Sequence, residues 1–261
     1  MSLFCIDIGN TNVVMGVYQG VELLAHWRIA TDHNRMADEY AMLILDLFDR
    51  AAQDPAAVEG VIMASVVPPL TGIFAKLSQR YFDQKPLVVG SGIRTGVRVR
   101  LDSPAEVGAD RVVNAAAAYR RYGGPACIVD LGTATTFDIL SVQGDYLGGA
   151  IAPGIGIAAE ALFQRTAKLP RIDVVRPPTV IGKSTVQAMQ SGLFFGYVGL
   201  VEGLIARFRA EMGPEMKVIA TGGLAATIAA ETPVIDVVDP WLTLDGLRLI
   251  WEMNQAPHSG E

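Results

Sequence analysis

Cysteine, histidine and basic charge are the scarce commodities of this chain: two cysteines, three histidines, and 21 Lys and Arg against 27 Asp and Glu over 261 residues. Two cysteines cannot build a disulfide framework; Cys5 and Cys127 sit in apolar runs and are expected as buried, reduced thiols, which suits the cytoplasm. His26, His33 and His258 are scattered, which removes histidine-based triads and clustered metal sites. The net charge of −6 argues against a nucleic-acid partner, which selects a basic face. Long uninterrupted apolar runs are also missing. The richest stretches, residues 58–74 and 148–163, are broken by Glu, Gly or Pro, so no membrane-spanning helix is expected, and no basic leader precedes the first strand. Half the residues (51%) are hydrophobic and 18% are charged, the balance of a compact α/β protein with one large or two ordinary domains.

What the chain does have is one turn written twice. Asp7, Ile8, Gly9, Asn10, Thr11 and Asn12 lie between short apolar runs at 3–6 and 13–18, which read as two strands joined by a polar turn. Gly9 removes a side chain from the approach to the turn. Backbone N–H groups, the Thr11 hydroxyl and the Asn10 and Asn12 amides make a concave donor set suited to phosphate. Asp7, at the strand end, can handle a magnesium ion or its water shell. Alone, this stretch fits an ordinary polar hairpin better than a ligand site. A second copy at residues 126–138 (ACIVDLGTATTFD) changes that: Asp130 matches Asp7, Gly132 matches Gly9, Thr133-Ala134-Thr135 matches Asn10-Thr11-Asn12, and the far turn Gln143-Gly144 matches Gln19-Gly20. Such internal similarity points to a duplicated unit. Two facing phosphate hairpins are the arrangement of the superfamily of actin, the sugar kinases and the heat-shock ATPases. The expected fold class is therefore α/β, a duplicated ribonuclease-H-like, two-lobed fold with mixed sheets flanked by helices.

In chain order, the pattern predicts a strand at 22–30, an amphipathic helix at 36–51, a buried strand at 58–67 ended by Pro68-Pro69, a helix at 70–82, and short strands at 87–89 and 97–101. Gly108, Ala109, Asp110 and Arg111 then lead into an alanine-rich helix at 112–122. Asp110 reads either as an N-terminal helix acid or as a functional carboxylate beside a backbone-exposing glycine. Gly123-Gly124-Pro125 breaks the chain, dividing it into lobes 1–122 and 123–261. The second lobe continues with a strand at 146–152, a turn through Pro153-Gly154-Ile155-Gly156, a helix at 158–166 and a proline-broken loop at 168–178. Gly182-Lys183-Ser184-Thr185 is not a P-loop, since Pro177 stands where its first glycine belongs and no strand leads in. Ser184 instead caps a helix at 185–212, whose Gly192, Gly196, Gly199 and Gly203 recur near one face and suit close packing, against the same chain or another. A strand at 217–220 delivers Thr221-Gly222-Gly223-Leu224, a turn open to a nucleotide base or ribose. A strand at 234–238, a helix at 242–253 and a frayed tail at 255–261 complete the expectation.

Assembled, these pieces closely resemble the type III pantothenate kinases over residues 3–254. The resemblance rests on DIGNTN (7–12), EVGADR (106–111), DLGTATTFD (130–138), GGAIAPG (148–154), IGKST (181–185), MQSG (189–192), ATGGLA (220–225) and LTLDGLRLI (242–250). It implies ATP-dependent phosphorylation of pantothenate, the first step of coenzyme A synthesis, by a cytoplasmic enzyme. It implies an ATP site at Asp7, Ile8, Gly9, Asn10, Thr11, Asn12, Val13, Val14 and Thr133, with magnesium. It implies a pantothenate site at Gly108, Ala109, Asp110 and Arg111, with Asp110 as proton acceptor and Thr185 supplied by the other subunit of a homodimer. Asp130 matches the family's ligand for a monovalent cation, potassium or ammonium. Two departures stand out. Leu101 replaces a tyrosine that touches substrate in many members, and Ser184 replaces the usual Asn before Thr185. Arg111 could balance the substrate carboxylate or the transferring phosphoryl group. A catalytically silent member of the family, or another small-molecule kinase of the superfamily, is the alternative. The presence of Asp7, Asp110, Asp130 and Thr133 weighs against the first, and GADR with IGKST against the second.

Overall fold

The computed structural model describes residues 1–255; the expected tail beyond Gln255 lies outside the described residues, as does His258. Two compact units emerge, one of residues 1–97, 102–117 and those from Trp241 on, the other of residues 98–101 and 118–240.

The first unit begins with β1 (Ser2–Ile8), β2 (Asn12–Gln19) and β3 (Glu22–Ala30), an antiparallel meander. Next come α1 (Ala37–Arg50), β4 (Val58–Ser65), α2 (Pro68–Phe82) and β5 (Leu87–Val88), with β4 parallel to β1 and β5 parallel to β4. One sheet face is covered by α1 and α2: Phe4, Tyr40, Phe48, Phe74 and Phe82 interlock there, with Phe4 edge-on to Phe48 at 5.0 Å between centroids. The other face takes Val113 and Ala116 of α3 (Ala109–Tyr122) and Leu247, Ile250 and Trp251 of α7 (Leu242–Gln255). Burial of this aromatic and aliphatic surface, at ~25 cal/mol per Å², is what holds the helices on the sheet.

The second unit repeats the plan. It holds β6 (Ala126–Leu131), β7 (Ala134–Leu140), β8 (Tyr146–Pro153), α4 (Ile155–Arg165), α5 (Thr185–Met212), β9 (Lys217–Thr221), α6 (Ala225–Ala229) and β10 (Val237–Val238). The first sheet runs β3-β2-β1-β4-β5 and the second β8-β7-β6-β9-β10, the same order in the same sense of pairing. The duplication read from one hairpin thus extends to the whole sheet.

Several expected boundaries move. Pro68 and Pro69 do not stop β4; they form the first turn of α2, where the absent N–H costs nothing because first-turn donors have no helical partner. The expected strand at 97–101 reduces to a single bridge, Val99 to Tyr146, since Arg98 and Arg100 turn outward to Asp145 at 3.1 and 3.0 Å. The turn at Pro153-Gly154-Ile155-Gly156 is already helical from Ile155, with Gly154 as N-cap and its carbonyl accepting from Ala158 N at 3.0 Å. The strand expected at 234–238 shrinks to Val237–Val238. α5 is capped as expected: Ser184 Oγ accepts from Gln187 N at 3.2 Å. By length and composition α5 could cross a membrane, but Leu193, Phe194, Val201 and Ile205 pack it into the core of its own unit.

Candidate active site

In the first unit, β1 and β4 end together beside the DIGNTN turn. Asp7 pairs with Val14 across β1–β2 and with Ala64 of β4, which leaves its half-buried carboxylate near the C-terminal edge of the sheet. Ile8, Val13 and Val14 stand in the strands, Ile8 and Val13 fully buried, so they hold the turn rather than offering polar atoms. Gly9 N donates to Asn12 O at 3.0 Å and closes the turn, leaving Asn10 and Thr11 exposed. Ile8 O accepts from Val66 N at 3.1 Å, which binds the end of β4 to the end of β1.

The helix α3 starts beside that junction. Gly108 O accepts from Arg111 N at 3.1 Å and Val112 N at 3.3 Å, so Asp110 and Arg111 lie in the first turn and not before it. Asp110 Oδ1 accepts from Arg111 N at 2.8 Å, an acid satisfied at a helix N-terminus. A side-chain carbon on Gly108 would run into that same Oδ1 and lie 3.4 Å from Val66 Cγ1. Gly108 is small, therefore, because the Asp110 carboxylate occupies the space beside it. The loop carrying Val66 brings this carboxylate to the end of β1 that supports the turn.

In the second unit, Asp130 pairs with Thr136 across β6–β7 and with Thr221 across β6–β9. Its turn is one residue shorter than the first: Leu131 pairs with Thr135, whereas Ile8 pairs with Val13, and Gly132 N donates to Ala134 O at 3.1 Å. Ala134 is therefore the counterpart of Asn12, and the residue-by-residue match of Asn10-Thr11-Asn12 with Thr133-Ala134-Thr135 slips by one. The far turns differ too, Gln19 pairing with Glu22 but Leu140 with Tyr146. Thr133 is exposed, and its carbonyl accepts from Gly154 N at 3.1 Å, an approach that a side chain on Gly154 would block. At Gly222, whose φ is +91°, a side-chain carbon would come 2.6 Å from Asp130 Oδ1 and 2.8 Å from the Leu131 backbone. The Thr221-Gly222-Gly223 turn, read from sequence as a nucleotide surface, is thus also the wall of the Asp130 carboxylate, a role its sequence spacing gave no way to see. Leu101 lies 3.0 Å from where a Gly148 side chain would begin. Thr185, the first residue of α5, is exposed.

Among the described residues no group of three or more His, Cys, Asp or Glu is arranged to hold a metal. Single carboxylates are nonetheless what a phosphate-bound magnesium asks for, since it keeps most of its waters. Asp7 fits that demand, and a side-chain carbon at Gly132 or Gly222 would lie 3.4 or 2.6 Å from Asp130 Oδ1. Cys5 and Cys127 are free and buried, and burial pushes both thiols well above their ordinary range, so neither is a nucleophile.

A family model described as type III pantothenate kinase matches residues 3–207. The type III pantothenate kinase of Roseiflexus sp. (strain RS-1) is 56% identical over 254 residues, 97% of this chain and 100% of that one. Among solved structures, the activator of the 2-hydroxyisocaproyl-CoA dehydratase from Clostridium difficile superposes with TM-score 0.55 at 12% identity, covering all of both chains. The inorganic polyphosphate/ATP-glucomannokinase from Arthrobacter sp. strain KM gives 0.51 at 14% identity, over 97% of this chain and 99% of that one. At such low identity these two speak for the fold alone, two α/β units whose sheets repeat one strand order.

Proposed function

The chain belongs to the type III pantothenate kinase family, and from that premise we propose that Asp110 is its catalytic base and that the turns following β1 and β6 serve its nucleotide. It is a phosphotransferase that phosphorylates pantothenate with ATP in coenzyme A biosynthesis.

Phosphoryl transfer requires in-line placement and neutralised charge rather than covalent help from the protein. The N–H groups of the turn at Asn10, Thr11 and Asn12 and the hydroxyls of Thr11 and Thr133 are the donors we assign to ATP, with Ile8, Gly9, Val13 and Val14 fixing the turn's position. Magnesium, when bound, neutralises phosphate charge, and Asp7 is the carboxylate we assign to it or its waters. Asp110 accepts the proton of the pantothenate hydroxyl, and Gly108 and Ala109 give substrate access to it. Arg111 supplies positive charge to the substrate carboxylate or to the transferring group. Asp130 holds a monovalent cation. The observation that carries the assignment is the empty side-chain position at Gly108, which seats the Asp110 carboxylate in the first turn of α3 beside the loop that braces β1. Leu101, being apolar, has no hydroxyl to offer the substrate. The cytoplasm is the compartment we propose, in keeping with two free thiols.

We assign the enzyme to homodimers through α5. Among the described residues a side-chain carbon at Gly192, Gly196 or Gly199 would meet nothing within 4 Å, so packing against those residues does not account for the glycines. Thr185 opens the same helix and, exposed in its own chain, is available to the pantothenate held by a second one. Mixing Asp110→Asn subunits with Thr185→Ala subunits should restore partial activity, because one site of each mixed dimer regains both wild-type residues. Mixed dimers that form and stay inactive would reduce Thr185 to a residue of the helix start.

A further inference from the structure

The nucleotide turn is held from outside by a residue that no motif reading had included. Thr31, just after β3, makes two bonds to it: Oγ1 donates to Gly9 O at 2.6 Å and the backbone N donates to Thr11 O at 2.9 Å. With Gly9 N bonded to Asn12 O, the carbonyls of Gly9, Thr11 and Asn12 all accept from the protein. A trans peptide sets its N–H opposite its C=O. Drawing the Gly9 and Thr11 carbonyls toward Thr31 therefore directs the N–H groups of Asn10 and Asn12 the other way. It also keeps two carbonyl oxygens from facing an anion, where they would oppose binding.

Thr31 is itself anchored. Tyr40, fully buried in α1, has a hydroxyl that accepts from Asp32 N at 2.8 Å and lies 2.9 Å from Asp32 O as its donor partner. Both bonds go to the main chain of the residue that follows Thr31. A buried phenol normally needs one polar partner; here both of its bonds fix the strand end from which the turn is held. We infer that Thr31 is a positioning residue for ATP, acting through the carbonyls of the turn, and that Tyr40 sets Thr31. This rests on the assignment of the turn to ATP.

Thr31→Val keeps the shape and removes the hydroxyl. One net hydrogen bond is worth roughly two- to tenfold in binding, so the KM for ATP and the Kd of a non-hydrolysable ATP analogue should rise by about that factor. The KM for pantothenate should stay within about twofold, and Thr31→Ser should restore the ATP values. Tyr40→Phe, which leaves Thr31 in place, should shift ATP in the same direction by a smaller factor, and decides the matter if Thr31→Val does not fold. Unchanged ATP constants in both variants, or equal rises for ATP and pantothenate, overturn the inference. Thr11→Val separates the two ways of failing. If it weakens ATP while Thr31→Val and Tyr40→Phe do not, only the positioning role is wrong; if none of the three affects ATP, the turn is not the nucleotide site.

Discussion

Asp110→Asn should lower turnover by about a hundredfold or more while ATP analogues still bind and the melting temperature stays near that of the wild type. The substitution is nearly isosteric, and its carbonyl oxygen can still accept from Arg111 N, as Asp110 Oδ1 does at 2.8 Å, so the first turn of α3 keeps its cap. What is lost is the ability to take a proton, a contribution of ~10²–10⁴-fold for a positioned base. Gly108→Ala approaches the same carboxylate from the other side. The added methyl collides with Asp110 Oδ1, the movable end of a side chain, and touches Val66 only at 3.4 Å. The fold should therefore tolerate it and the carboxylate should move, lowering kcat with little effect on stability. Single-turnover kinetics with melting curves on both variants reads this directly. An Asp110→Asn enzyme retaining more than about a tenth of wild-type turnover would remove Asp110 from the base role.

Gly222→Val should cost the fold substantial stability. Gly222 has φ +91°, a conformation a β-branched residue adopts only at a cost of ~1–3 kcal/mol. Its side chain would also press on Leu131 backbone atoms at 2.8 Å, which cannot swing aside as a side chain can. For a domain of this size each kcal/mol lowers the melting temperature by about 2–4 °C, so a loss of roughly 5–10 °C is expected. Gly222→Ala intrudes less but still comes 2.6 Å from Asp130 Oδ1. Its remaining turnover should no longer favour potassium or ammonium over sodium at matched ionic strength. Selectivity equal to that of the wild type would separate Asp130 from the cation. In contrast, Gly196→Ala, on a helix face where nothing lies within 4 Å, should leave the subunit's fold intact or strengthen it slightly, since alanine favours helix by ~1 kcal/mol.

The duplication was legible because strand alternation and the Asp-x-Gly turn survive in both halves, and those two features demanded the two sheets. What the sequence misjudged were places where one residue fits two structures. Pro68-Pro69 ends a strand and opens a helix equally well, and only the chain's course after Ser65 decides it. Thr133-Ala134-Thr135 matches Asn10-Thr11-Asn12 in sequence, yet a turn shorter by one residue shifts the pairing, and only cross-strand register shows that. In the candidate site, Asp7, Asp110 and Asp130 could be picked out because carboxylates beside glycines are conspicuous. The reason for the glycines could not be read, since Gly108 serves Asp110 two residues away whereas Gly222 serves Asp130 from another strand. Thr31 and Tyr40 were invisible for a related reason: the Thr31 hydroxyl bonds the Gly9 carbonyl 22 residues away and the Tyr40 hydroxyl bonds the main chain of Asp32 8 residues away, and neither bond leaves a motif.

The most direct test is to incubate the purified enzyme with ATP, magnesium and potassium and to identify the phosphorylated product by mass spectrometry and ³¹P NMR, with pantothenate offered beside a panel of sugars and hydroxy acids. The account predicts one phosphoryl group on the terminal hydroxyl of pantothenate, stoichiometric with ADP formed and absent with Asp110→Asn. ADP released without phosphorylated pantothenate, or a sugar phosphorylated in its place, would contradict it.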